Sequence, residues 1–194
     1  MSEPTAAVPG IPAMLAAMPT DKRPVAALTP DEARRRTRTI WADFWSAAPP
    51  MVEDVRDHVV ETAEGAIPVR LYDPASDGRH PIFYFHGGGF VVGDLDTHDG
   101  IARRLALYSG RPVVSTDYRR APEHPYPQPL ADCTAVVAAV ASGRSDLGLD
   151  ASRFALAGDS AGASLALGTA LRLARQDLHP AALALLIGSF DPAM

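Results

Sequence analysis

Apolar and polar positions follow two rhythms along this chain. Short runs suited to covered strands recur at Pro81–Phe85, Pro112–Thr116, Phe154–Ala157 and Ala181–Ile187. Such runs, four to seven residues long here, fit strands buried on both faces. Between them the spacing turns helical, over Asp96–Tyr108 (stopped by Gly110), Pro129–Ser142 and Ala163–Arg175, the last carrying Leu165, Leu167, Leu171 and Leu173. Strands alternating with helices imply right-handed crossovers and a parallel sheet with helices on both faces. Upstream, Val52–Thr62 and the alternating Ile67, Val69 and Leu71 predict an antiparallel hairpin turning at Glu64-Gly65. The expected class is therefore α/β, a mostly parallel sheet opened by antiparallel N-terminal strands.

The first 28 residues are rich in Ala, Pro and Met, with either a short helix around Met14–Met18 or loose order. Thr29-Pro-Asp-Glu32 then reads as a helix start, with Thr at the cap, Pro in the first turn and Glu three residues after the cap. The helix is expected to run to about Ser46, with Ile40, Trp41, Phe44 and Trp45 on its apolar side. Arg34, Arg35 and Arg36 read as a solvated face. Pro49 and Pro50 end the segment, which divides the chain into an N-terminal helical part, 1–50, and a core, 51–194.

Composition narrows the classes. The chain has 194 residues, 47% hydrophobic and 21% charged, enough apolar material for one folded domain. A net charge of -5 offers no footprint for nucleic acid and no basic face for an anionic membrane. No apolar run approaches the roughly 18 residues of a membrane span. The single cysteine, Cys133, cannot form an internal disulfide and lies in an Ala/Val-rich segment, so it reads as a core residue in a cytoplasmic protein. No zinc-ligand spacing occurs, and neither metal nor cofactor is expected.

The chemistry concentrates where an apolar strand turns sharply into a helix, at Gly158-Asp-Ser-Ala-Gly162. A Ser at such an apex, with Gly two positions to either side, is the pattern of a nucleophile elbow. A Cβ at Gly158 or Gly162 would collide with the neighbouring strand or helix, and the helix N-terminus behind Ser160 favours a developing anion. A plain glycine-rich turn with an exposed Ser is the alternative. A second glycine cluster, His86-Gly-Gly-Gly89, follows another strand end on the same side of the sheet, where ligand sites of such folds lie. Its backbone N–H groups suit an oxyanion hole, with Gly88, Gly89 and Ala161 as donors. A phosphate-binding or merely flexible loop is the competing reading, although no Lys-Ser/Thr pair follows, which excludes a P-loop. His86 reads as a residue that orders the loop rather than as a base.

Together, His86-Gly-Gly-Gly89, Asp117-Tyr-Arg-Arg-Ala-Pro-Glu-His-Pro-Tyr-Pro127 and Gly158-Asp-Ser-Ala-Gly162 resemble the three blocks of the hormone-sensitive-lipase-like branch of the α/β-hydrolases, which includes bacterial acetyl esterases. Phe90 and His98 also fit the first block; two small departures from the family's pattern are Arg120, in the second block, where Leu is usual, and Ala163, just after the third, where a third Gly is usual. The resemblance implies an α/β-hydrolase fold, hydrolysis of small acyl esters through an acyl-enzyme on Ser160, and an N-terminal helical cap over the acyl pocket. Glu123 and His124 belong to its structural block.

The family's triad runs in the order Ser, acid, His. After Ser160 the sequence holds one histidine, His179, and two aspartates, Asp177 and Asp191. Asp177 and His179 fall at the far end of the elbow helix, roughly 25 Å away at 1.5 Å per residue. The expectation is a C-terminally truncated hydrolase core with its last strands, acid and base missing, weak activity, and a bare apolar sheet edge open to self-association. A non-catalytic small-molecule binder or pseudoenzyme fragment is the alternative.

Overall fold

A computed structural model describes residues 21–41, 49–75 and 80–190. Helix α1 spans Pro30–Ile40, and a complete capping box starts it: the Glu32 N–H donates to the Thr29 hydroxyl while the Glu32 carboxylate accepts from the Thr29 N–H. Met14–Met18, Phe44 and Trp45 lie outside the described residues. Strands β1 (Asp54–Thr62) and β2 (Gly65–Asp73) pair antiparallel, Thr62 opposite Gly65. The rest alternates as expected: β3 (Ile82–Phe85), α2 (Asp99–Ser109), β4 (Val113–Thr116), α3 (Gln128–Ala141), β5 (Ala155–Asp159), α4 (Ala161–Ala174) and β6 (Ala182–Leu186). They form one six-stranded sheet in the order β1-β2-β4-β3-β5-β6. β2 pairs antiparallel with β4, and all pairs beyond are parallel.

The two faces bury different sets of side chains. Phe83 and Phe85 of β3 point into a core with Val136, Val137, Leu165 and Leu173, supplied by α3 and α4. Tyr84 points the other way, onto Ala102 and Ala106 of α2. This two-sided burial is what an unbroken apolar run requires. Cys133 is fully buried in the first core, and burial pushes its thiol up.

Three expectations change. The helix predicted from Asp96 starts at Asp99, because Asp94 and Thr97 close a turn before it, with Thr97 N–H donating to Asp94 Oδ1 at 2.9 Å. Arg34 is not part of a solvated face. Its guanidinium reaches Glu123, Ala121 O and Val91 O, so α1 is fastened to loops 57 to 89 residues away in sequence. The run at Ala181–Ile187 forms β6 but is not buried: Leu183, Leu186 and Ile187 are 41%, 54% and 88% exposed. Among the described residues β6 has β5 on one side and no strand on the other.

Candidate active site

β5 delivers Asp159 to the carboxyl end of the sheet, and α4 begins at Ala161. Ser160 between them has φ 52 and ψ -120, a conformation non-glycine residues rarely adopt. Its N–H stays tied to the sheet, donating to Leu186 O of β6 at 2.8 Å. Although Ser160 occupies the N-cap position, its hydroxyl makes no capping hydrogen bond, so the Oγ is not consumed by the helix. A Cβ on Gly158 would strike the Gly162 carbonyl, and one on Gly162 would strike Phe85 O and lie 2.7 Å from His86 O. The elbow therefore sits directly on the end of β3, where the glycine loop begins.

Asp159 ties the two segments together. Its Oδ1 accepts from the Gly87 N–H at 3.0 Å and from the Tyr84 hydroxyl at 2.5 Å. Its Oδ2 lies 3.7 Å from Nε2 of His98. Burial pushes this carboxyl up, but His98, Tyr84 and the Gly87 N–H outweigh burial and hold it below the usual carboxylate range. The sequence presents Asp159 only as the second residue of its motif; its structural role appears once Gly87, 72 residues earlier, is placed beside it.

Beyond Gly87 the loop doubles back. Gly88 has φ 126, and the N–H groups of Val91 and Val92 both donate to its carbonyl, at 3.1 and 2.9 Å. A Cβ on Gly88 would run into Val92 O, so glycine is required by both backbone and space. The N–H groups of Gly88, Gly89 and Ala161 donate to no acceptor among the described residues. The structure thus brings Ser160, Gly87, Gly88, Gly89 and Ala161 to one end of the sheet.

His86 is fully buried below this loop. Its Nδ1 sits 2.8 Å from Gly87 O; a carbonyl only accepts, which assigns the proton to Nδ1. The Tyr118 hydroxyl donates to His86 O at 2.7 Å, and the two rings stack at 4.3 Å. Burial, then neighbouring His98, lowers the His86 pKa to about 3, so the imidazole is neutral near pH 7 and is a poor base. His98 was named from sequence only as fitting the first motif block, and Tyr118 and Arg34 were not singled out as parts of this end of the sheet. The signal available was that Tyr118 and Glu123 lie in one motif block.

Asp177 and His179 sit beyond α4 as an exposed pair 3.4 Å apart. Fourteen helical residues separate that pair from Ser160, about 21 Å at 1.5 Å per residue. Glu123 binds Arg34 instead of facing Ser160, and the Arg34 guanidinium holds its carboxyl down at about 2. No group of three or more His, Cys, Asp or Glu side chains suited to a metal ion occurs among the described residues. No described helix is long and apolar enough to cross a membrane.

Residues 82–193 match a family model described as alpha/beta hydrolase fold. An acetyl esterase of Salmonella paratyphi B is 39% identical over 148 residues, covering 76% of this chain and 45% of that protein. The acetyl esterase of Salmonella agona aligns with the same identity and coverage. The chain thus spans under half the length of these curated relatives. Among solved structures, a Pyrobaculum calidifontis esterase superposes with a TM-score of 0.73 at 36% identity, covering 78% of this chain and 50% of that one. An α/β-hydrolase enzyme from the metagenome of Lake Arreo, Spain, superposes with a TM-score of 0.84 at 32% identity, covering 94% of this chain and 59% of that one. Matched over more than half its length, and superposable on solved esterases, this chain belongs to the α/β-hydrolase fold family.

Proposed function

We propose that this chain carries the nucleophile and oxyanion portion of a carboxylic ester hydrolase acting on small acyl esters. One observation carries the reading: Ser160 sits at a strained strand-to-helix turn with its hydroxyl outside the helix cap, beside the Gly88 and Gly89 N–H groups, which donate to no acceptor among the described residues. Ser160 Oγ attacks the ester carbonyl, the alcohol leaves with a proton, and an acyl-enzyme remains for water to hydrolyse. Gly88, Gly89 and Ala161 donate to the oxygen on which charge develops. The N-terminal segment, through its described residues 21–41, acts as a cap over the acyl group. The names of the relatives, acetyl esterase and esterase, support the substrate class.

Attack requires a base to take the Ser160 proton and an acid to orient that base. His86 is neutral and committed to Gly87 O, and Asp177 with His179 lies at the far end of α4. The residues following Ser160 in this sequence therefore do not complete a triad. Turnover by these residues alone is expected to be slow, sustained by oxyanion and binding contributions. The same observation favours a second reading, a non-catalytic binder of small acyl compounds.

Hydrolysis of p-nitrophenyl acetate by the protein and by its Ser160→Ala variant separates the two. A rate that falls with the substitution supports the esterase reading. Equal rates overturn it, and ligand-dependent melting without turnover establishes the binder. We also propose that β6 is a site of self-association, since the stretch Ala181–Phe190 holds no charged residue to discourage strand pairing.

A further inference from the structure

Helix α1 is separated from the sheet in sequence, yet two of its arginines grip the glycine loop. Arg34 and Arg38 lie four residues apart, on one side of the helix. Arg34 Nε donates to Val91 O at 2.9 Å, and one terminal nitrogen donates to Ala121 O at 3.0 Å. The same fork takes both oxygens of Glu123, at 2.8 and 2.6 Å. Arg38 pairs with Asp94 at 2.5 Å and with Asp96 at 2.9 Å. Between these grips, Arg120 donates to Gly93 O, and the Ala121 N–H donates to Phe90 O at 2.9 Å.

Arg34 thus meets the loop one hydrogen bond from its functional glycines. Val91, whose carbonyl it holds, itself donates to Gly88 O. Phe90, adjacent to Val91, is a non-glycine residue held at φ 64, a conformation that persists only where the surroundings impose it. The Arg34–Glu123 ion pair is half open to water and contributes little by itself. The two backbone carbonyls are the larger matter, because removing the guanidinium leaves both without this donor. A planar fork with five donors can serve a carboxylate and two carbonyls at once; a lysine ammonium cannot reproduce that spread.

We infer that Arg34 is a positioning residue that sets the Gly88–Gly89 amides from the N-terminal helix, so that the oxyanion donors are aligned only while α1 is docked. This rests on the reading of Gly88 and Gly89 as oxyanion donors. Docking of α1 then governs the site without any α1 side chain touching the substrate. Arg38 fastens the far end of the same loop and would report docking without contact to Val91.

The test is hydrogen exchange of the peptides covering 86–97, measured by mass spectrometry on the full chain. The variants are Arg34→Ala, Arg34→Lys and Glu123→Gln, with β3 and β5 peptides as an internal gauge of global folding. Arg34→Ala and Arg34→Lys should speed exchange at Val91 and Val92 at least tenfold while β3 and β5 stay unchanged. Glu123→Gln, which keeps the guanidinium on both carbonyls, should have less than a threefold effect. Unchanged exchange in Arg34→Ala overturns the inference. So does Glu123→Gln matching Arg34→Ala, since the ion pair alone would then hold the helix. A uniform rise that includes β3 and β5 assigns Arg34 to general stability and also overturns it.

Phenylboronic acid, whose tetrahedral adduct on a serine places an oxygen where the oxyanion forms, supplies the second readout. Its affinity, read by calorimetry, should fall about tenfold in Arg34→Ala and vanish in Ser160→Ala. Unchanged affinity in Arg34→Ala overturns the positioning role even if exchange rises. Absence of binding to the unsubstituted protein counts against the esterase reading, while exchange alone then decides whether Arg34 sets the loop.

Discussion

β5 and β6 open with the same tripeptide. Ala155-Leu156-Ala157 stands in register with Ala182-Leu183-Ala184, side by side in one sheet. Leu156 is fully buried, whereas Leu183 is 41% exposed. Nothing local separates them. β5 has β3 on its other side and lies within the packed core, while β6 has no second strand among the described residues. Strand character is written in the residues, but burial is conferred by neighbours.

The comparison can be broken from several directions, the strongest being acid. His86, at the end of β3 beside β5, is held near pKa 3 by burial and by His98. Its folded value lies below the unfolded one of about 6.5, so between the two the unfolded chain binds the extra proton. Stability is therefore complete above about pH 6.5 and falls as pH drops toward 3, by on the order of 5 kcal/mol at 1.36 kcal/mol per unit. Asp159 acts in the same direction at lower pH, since its carboxyl also lies below its ordinary value. Urea titrations at pH 7, 5.5 and 4 read this slope. A flat profile would mean that the β3–β5 end is already open to water.

The next effect tests the twin leucines directly. Leu156→Ala removes a side chain from a closed core and should destabilise by about 3 kcal/mol, whereas Leu183→Ala should cost less than about 1 kcal/mol. Similar losses in denaturant midpoint would show that β6 is covered in solution.

A smaller effect has the opposite sign. Ser160→Gly relieves a positive-φ backbone and should stabilise the fold by about 1 kcal/mol while removing any Ser160-dependent hydrolysis. Loss of stability instead would mean the serine side chain supports the elbow. The smallest change in stability belongs to Leu183→Lys, within about 0.5 kcal/mol. It should nevertheless lower the mass seen by light scattering if β6 pairs with a second copy, because a charge on an open edge discourages pairing. An unchanged mass removes self-association through this edge.

What could be read from the chain in advance follows the same division. The elbow and the glycine loop were legible because each is a short pattern whose spacing has a steric cause: Gly158 and Gly162 have no room for a Cβ, and Gly88 combines a positive φ with a blocked Cβ position. The two-sided burial of Phe83, Tyr84 and Phe85 was legible for a similar reason. Arg34 was not, because a run of three arginines reads as a wet face until Val91 and Glu123 are brought to it by folding. Tyr118 and Asp159 were opaque in the same way, their partners lying 32 and 72 residues off. The exposure of β6 was not legible in Ala181–Ile187 itself, whose apolar run reads as covered; it follows from β6 having a strand on one side only among the described residues.

The hydrogen bond from Ser160 N–H to Leu186 O couples the elbow to the rim of the sheet. The peptide group that carries Ser160 is anchored in β6, the last strand of the sheet among the described residues, so fraying there would loosen the serine before it disturbed the interior. Whatever comes to lie along that rim therefore acts as a brace for Ser160, the proposed nucleophile, and the amide proton of residue 160 is the natural gauge of how firmly it is braced.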